Sequence, residues 1–399
     1  MSAPRSPWIT TTEAAQRLGV KRSTLYAYVS RGLLRSERRP GQQESLFDRA
    51  QIDAMATATR PAGGPQPVLR FRSIATSVSR QAEGELFYRG RALADVVALG
   101  SLEEAAAVVL EAPASPNASA PNASAPNASA PDATAGLDLA LLPLHRRMPV
   151  AVQLLAAADP FAADTDPERV RAAALPTLRA AVALVAGRAP GPPGGDDLAA
   201  LALGALGGRP DAPGDLDVLR VLLVSLLDHG LTASTIAARV AASTRAGLPD
   251  CLCAAYAAMS GPLHGAAPVA AHALLAEGAD PAALLARSLR SGGSVAGFGH
   301  FLYPDGDPRA EVVLEALWRR PGTAALRRRV EALGTIVGER TGALPNIDLA
   351  SAAVLHALGL PAESGEVVFQ IARSVGVAAH VVEEYAEEPL RWRGRDPQG

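Results

Sequence analysis

Gly297-Phe-Gly-His300, followed by Asp307-Pro-Arg309, joins a histidine to a guanidinium nine residues on. The glycines permit a bent loop and a close approach of backbone to a ligand. Asp307-Pro-Arg309 reads as the start of a helix over Arg309–Trp318, aiming Arg309 toward the same region. Upstream, Gly261-Pro-Leu-His264-Gly265 puts a histidine just before a helix beginning near Ala267. A ring there can sit against free backbone amides and stay neutral, a hydrogen-bond donor rather than a cation. Downstream, Pro345-Asn-Ile-Asp348 sets an aspartate at the head of a helix over Leu349–Ala357. Taken singly, each has an ordinary structural reading: a packed histidine, or an aspartate that caps a helix.

The surrounding chain reads as helices. Apolar residues recur at three- and four-residue spacing over Leu102–Leu110, Val170–Ala186, Leu216–Leu227, Ala233–Ala242, Ala267–Ala276, Pro281–Arg290, Thr323–Gly338 and Glu366–Val381. Alanine and leucine fill the apolar positions and aromatics reach only 4%, a bias toward helix over sheet. Strand-like segments are few: Arg70–Ser79 followed by Glu85–Tyr88 suggests a small hairpin. The predicted class is mostly α.

Three seams divide the 399 residues, which are too many for one ordinary core. Arg60-Pro-Ala-Gly-Gly-Pro-Gln-Pro67 reads as a linker, and Ala189–Asp196 as a surface loop. Between Pro113 and Ala135 a Pro-Asn-Ala-Ser-Ala unit recurs in tandem; without large apolar side chains it cannot build a core and reads as an insertion. Cys251 and Cys253 are the only cysteines, which excludes a disulfide framework and multi-cysteine metal sites; no metal centre is expected. No apolar run is expected to span a bilayer and no signal-peptide core is evident, so the cytoplasm is the default address and no membrane partner is expected. Phosphate-cradling GxxxxGK[ST] and dinucleotide GxGxxG loops are absent from the sequence, which argues against nucleotide-dependent ligase chemistry.

The formal charge of -2 hides an asymmetry: residues 1–60 carry ten basic and five acidic side chains. Within them, Thr10-Thr-Thr-Glu13 is a capping box opening a helix over Glu13–Leu18, which Gly19 ends. A second helix starts near Ser23, a hairpin-like stretch covers Arg35–Phe47, and Asp48 caps a third helix. The passage resembles the winged helix-turn-helix of MerR and excisionase-type proteins. That resemblance implies DNA as a partner, with Lys21, Arg22, Thr24, Tyr26 and Tyr28 on or beside the recognition helix and Arg35, Arg38 and Arg39 in the wing.

From about residue 66 to 399 the motifs, in their order, resemble the citrate synthase family. The matches are Arg72–Val78 with Gly84–Gly90, Ser101-Leu-Glu-Glu-Ala-Ala, Asp228-His229 with Ala233-Ser-Thr, the three motifs above, Ile371-Ala-Arg373 and Leu390–Arg393. The resemblance implies a two-domain all-α body behind the winged head (1–60). Its large domain would span 66–265 and 363–399, with the insertion at 113–135, and its small domain 266–362. It implies a homodimer that condenses acetyl-CoA, as substrate and with no cofactor, with oxaloacetate or a related 2-oxo acid to give citrate plus CoA. By the same resemblance Asp348 is the base, His264 the donor to the thioester oxygen and His300 the group that polarises and protonates the ketone. Arg309, Arg373 and His229 bind the oxo acid, with Arg393 supplied by the other subunit, and Ala296, Gly297, Phe298 and Gly299 hold CoA. An aspartate that takes a proton near neutral pH should be lifted above about 3.9 by burial.

The sequence departs from the family pattern at Leu226 (commonly histidine), Ala266, Pro268, Phe301 (frequently arginine) and Pro304 (often basic). A body that binds CoA thioesters or oxo acids and moves the head on DNA, a transcription regulator without catalysis, is the rival reading. His145 reads as solvated, His272, His356 and His380 as packed within helices, and Cys251-Leu-Cys253 as helix packing.

Overall fold

The computed structural model describes residues 8–18, 20, 22–30, 34–37, 45–59, 74–112, 138–189, 197–209, 214–275, 280–290 and 295–393. The Arg60–Pro67 linker, the repeat insertion, nearly all of the Ala189–Asp196 loop, Lys21, Arg38, Arg39 and residues 70–73 lie outside them. The described residues form two compact units, one drawn from Met1–Ile74 and Leu285–Val295, the other from Ala75–Leu284 and Ala296–Gly394.

In the first unit, β1 (Trp8–Thr10) leads into α1 (Thr11–Leu18) and α2 (Arg22–Ser30), followed by β2 (Ser36–Glu37), β3 (Leu46–Asp48) and α3 (Arg49–Thr59). The strands pair antiparallel in the order β1-β3-β2. The Thr10 hydroxyl accepts the Glu13 amide at 3.2 Å, and Asp48 accepts from Ala50 and Gln51 at 2.7 and 3.2 Å, as the capping signals predicted. Ile9, Ala14, Leu25, Leu34, Phe47 and Ile52 close a small core between helices and sheet. The helix-turn-helix is thus present, with β1 as an addition: three residues of alternating burial are too short to stand out in sequence.

The second unit begins with an antiparallel hairpin, β4 (Ser79–Ala82) and β5 (Glu85–Tyr88), extended by β6 (Arg91–Ala92). The expected first strand, Arg70–Ser79, is corrected here. The two-residue turn Glu83-Gly84 has positive φ at both positions, and this fixes the register Ser79↔Tyr88 to Ala82↔Glu85. Ile74–Val78 precede the strand without joining it.

The rest is helical: α4 (Leu93–Val97), α5 (Leu102–Leu110), α6 (Leu144–Ala158), α7 (Pro167–Val185), α8 (Leu198–Ala205), α9 (Asp215–Leu226), α10 (Ala233–Ser243), α11 (Leu248–Met259), α12 (Ala267–Leu274), α13 (Pro281–Arg290), α14 (Pro308–Arg319), α15 (Ala324–Thr341), α16 (Ile347–Ala357) and α17 (Ser364–Tyr385). Ten coincide with the predicted helices to within a turn at most ends; α4, α6, α8 and α11 were not foreseen. α17 is the spine, packed against α5, α6, α7, α9, α10, α11 and α12. By length and composition it could cross a membrane, contrary to the expectation that no segment could; every residue of its apolar window is buried in the protein, as befits a core helix.

Candidate active site

His264 and Asp348 sit just before or at the start of a helix, and His300 lies in the loop ahead of α14. His264 lies in the turn between α11 and α12, its amide bonded to the Gly261 carbonyl at 3.0 Å. Asp348 is in the first turn of α16, whose cap is Asn346: the Asn346 side chain accepts the amides of Asp348 and Leu349 at 3.0 and 3.4 Å. The His300 loop is stitched to that same cap. The Gly299 amide donates to the Leu344 carbonyl at 2.7 Å, the Asn346 amide donates to the Gly297 carbonyl at 2.9 Å, and the Asn346 side-chain amide donates to the Gly299 carbonyl at 2.9 Å. Gly297 has φ +81, and a Cβ there would stand 2.8 Å from that of Leu349; only glycine lets the loop lie this close to α16.

The geometry gathers His229, His300 and Arg309. The rings of His229 and His300 meet edge to face at 5.2 Å. Arg309, in the first turn of α14, is almost fully buried and is held by Asp307 through two hydrogen bonds of 2.9 and 2.8 Å. Asp307 also accepts the Ile347 amide at 3.0 Å, tying α14 to the start of α16. The charge of Arg309 reaches His229, His300 and Asp348 alike.

Arg373 comes from α17. Its Nε donates to the Leu226 carbonyl at 3.0 Å and one terminal nitrogen donates to Thr232 at 3.4 Å, with the guanidinium carbon 4.8 Å over the Phe369 ring. Among the described residues its buried Nη2 has no hydrogen-bond partner, which leaves a donor suited to a carboxylate. The Leu226 backbone carbonyl serves Arg373 and its side chain is core.

His264 corrects one expectation. Its Nε2 lies 2.8 Å from the Ser234 hydroxyl rather than against free amides, and its ring meets Phe369 edge-on at 5.4 Å. Ser234 in turn is 3.1 Å from the Thr232 hydroxyl, which receives Arg373. The Ser234 hydroxyl can donate to Nε2, an arrangement that puts the ring proton of a neutral His264 on Nδ1. Burial, and next the nearby charge of Arg373, lower His264 to about 4. Burial and Arg309 lower His300 to about 4 as well, against a smaller opposing effect of Asp307. The Leu302 amide donates to His300 Nδ1 at 3.2 Å, so the proton of the neutral ring is on Nε2.

Asp348 moves the other way. Part of its surface stays accessible, yet it is set deep among protein atoms; burial lifts it to about 6, with Arg309 opposing and Asp307 adding. At pH 7 Asp348 is thus a carboxylate of raised basicity, and His264 and His300 are neutral imidazoles.

Asp228 fixes the loop that carries His229. It accepts from Ser79 and, at 2.9 Å, from the Gly230 amide, and faces His380 Nε2 at 3.2 Å. Beyond His380, Arg239 bonds Glu383 and Glu384 at 2.9 and 2.8 Å. Gly376 brings α17 against this loop, since a Cβ there would lie 2.4 Å from the Leu227 carbonyl. Sequence reasoning left His380 as a packing residue and did not single out Ser234, Tyr303 or the Arg239 network; the quoted Asp228-His229 and Ala233-Ser-Thr motifs were the available signal.

The remaining expected residues are placed as follows. Gly299 has its amide engaged by Leu344, while Ala296, Gly297 and Phe298 line the same loop. Arg393 is exposed, and its side chain makes no hydrogen bond or ion pair among the described residues. On α2, Arg22 is exposed and bonds Thr12, Thr24 is half-buried, Tyr26 is 46% exposed, and Tyr28 packs against the head's core. Among the described residues no group of three or more His, Cys, Asp and Glu could hold a metal ion.

The mostly helical body thus buries arginines, histidines held neutral and one raised carboxylate. The chain belongs to the citrate synthase family: the model of the citrate synthase C-terminal domain matches residues 68–394, and that of a helix-turn-helix domain matches residues 8–60. It is similar to the citrate synthase of Haloferax volcanii, 35% identical over 175 residues that cover 42% of this chain and 46% of that protein. It is also similar to a citrate/2-methylcitrate synthase of Bacillus subtilis, 37% identical over 175 residues, covering 42% and 47%. The chain thus spans about half the length of the curated relatives it matches. Among solved structures, citrate synthase from Pyrobaculum aerophilum superposes with a TM-score of 0.61 at 25% identity, covering 82% of this chain and 90% of that one. The citrate synthase of Thermoplasma acidophilum in ternary complex with carboxymethyl coenzyme A and oxaloacetate gives 0.63 at 23% identity, covering 82% and 93%.

Proposed function

We propose that the protein condenses acetyl-CoA with oxaloacetate or a closely related 2-oxo acid, and hydrolyses the resulting thioester to release CoA. One observation carries this reading: Asp348 is raised to about 6, the His300 loop is stitched to the cap of its helix, and His264 and His300 are held neutral. A thioester methyl is a very weak acid, so its proton leaves at a useful rate only if base and oxyanion donor act together. Asp348 takes the methyl proton as the His264 Nδ1–H receives the charge developing on the thioester oxygen. The enolate carbon attacks the ketone of the oxo acid, whose oxygen is polarised by the His300 Nε2–H and takes a proton there. Water then cleaves the thioester, giving the free acid and CoA. Arg373, through its unpartnered Nη2, and Arg309 bind the oxo acid's carboxylates, with His229 beside them. Arg393 would complete the pocket from the second subunit of a homodimer, and the Ala296–Gly299 loop would hold CoA. Closure of a small domain (266–362) on a large one would exclude water.

The helix-turn-helix match at residues 8–60 favours a second role, DNA binding by the head, in which the body senses CoA thioesters or oxo acids. A panel of 2-oxo acids with acetyl-CoA, read by CoA release, tests the first reading. Duplex binding that weakens steeply with salt and with Arg22→Ala tests the second.

A further inference from the structure

Tyr303 stands in the middle of the histidine cluster. Its hydroxyl is 3.0 Å from His229 Nε2, its ring is 5.0 Å from that of His300, and the Arg309 guanidinium carbon lies 5.5 Å from its centroid. Both Tyr303 and His229 are buried, with 3% and 7% of their surface exposed. Burial, followed by Arg309 and Arg373, keeps His229 neutral, so the ring owns one N–H and one lone pair. Which nitrogen carries the proton is decided by the group that meets Nε2.

The contact with His229 is the only hydrogen bond of the Tyr303 hydroxyl among the described residues. Were Nε2 the donor, the phenol proton would be buried without an acceptor, which costs more than leaving a spare oxygen lone pair. The phenol therefore donates. No hydrogen bond among the described residues occupies His229 Nδ1.

We propose that Tyr303 is a positioning residue for the oxo-acid site: it donates its phenolic proton to His229 Nε2 and thereby fixes the Nδ1–H tautomer, leaving that N–H for an oxygen of the 2-oxo acid. The same side chain spaces His300 and Arg309 around the ligand by ring contact, so one residue sets three others. The statement about the ligand rests on the acyltransferase reading; the statement about the tautomer does not.

The test begins with ¹⁵N-histidine NMR of the full chain, with His229 assigned by its loss in His229→Gln. Wild type should show the Nδ1–H form of His229, and Tyr303→Phe, which keeps the ring, should mix the two tautomers. An Nε2–H form in wild type overturns the proposal. In turnover, Tyr303→Phe should raise KM for the oxo acid about tenfold with kcat little changed, the loss of one buried hydrogen bond. The same substitution should add nothing in a His229→Gln background; an equal effect there shows that Tyr303 does not act through His229 and overturns the proposal. Absence of any CoA release by wild type would defeat the acyltransferase reading, while the NMR result would still decide the tautomer.

Discussion

Asp307 and Arg309, two residues apart, are joined by paired hydrogen bonds of 2.9 and 2.8 Å in a site that buries both side chains. Asp307 thus neutralises the guanidinium that would bind substrate and also adds to the upward shift of Asp348. Removing its charge acts on two groups at once. Asp307→Asn should move the acid limb of CoA release below about 6, because Asp348 loses a repelling neighbour and faces an unpaired Arg309. Breaking one partner of a buried pair should also cost about 3 kcal/mol of stability in denaturant titration. An unmoved acid limb would detach Asp307 from the base.

Asp348 is raised in the folded state, so its stability linkage has the sign opposite to that of an ordinary paired carboxylate. Its contribution is complete below 3.8 and is lost as pH rises through about 6. Asp348→Asn should therefore abolish turnover yet raise thermal stability at pH 8, by at most about 3 kcal/mol, with the difference fading toward pH 4. Calorimetry at both pH values checks it, and a variant less stable than wild type at pH 8 would contradict the burial account.

The Ser234 hydroxyl orients His264. Ser234→Ala leaves the imidazole in place but removes the partner of Nε2, so kcat should fall tenfold to a hundredfold while Tm changes little. Retention of full kcat would mean that the ring needs no such partner.

His380 supplies a different pH dependence. Burial lowers its value, but Asp228 and Glu383 more than reverse this and leave it raised. Its contribution is therefore full below 6.5 and is lost as pH climbs through the raised value. His380→Gln should lower Tm most below pH 6.5 and progressively less at alkaline pH; a penalty that grows with pH would assign the stabilising charge elsewhere.

Much of this architecture is legible in the sequence. Helices with one apolar face, such as Leu102–Leu110 and Pro281–Arg290, declare themselves by period, and Thr10 and Asp48 mark helix starts by chemistry. α8 did not, because Leu198–Ala205 is apolar on almost every side and has no face to read. Pro149 inside α6 signals a break that tertiary packing overrides. The hairpin was misplaced because its register depends on the positive φ of Glu83, not on apolar alternation. In the site, the motif histidines and Asp348 were visible because each sits at a glycine or a helix start. Ser234, Tyr303 and the Asp228–His380–Arg239 network were not, since their partners lie 30, 74 and up to 152 residues away and no local pattern records such contacts.

The central claim is that Asp348 removes a proton from the thioester methyl. Acetyl-CoA and oxaloacetate should give steady CoA release with wild type, and Asp348→Ala should reduce it by several orders of magnitude while its circular dichroism and oxaloacetate affinity stay near wild type. Equal release by both proteins would contradict the account.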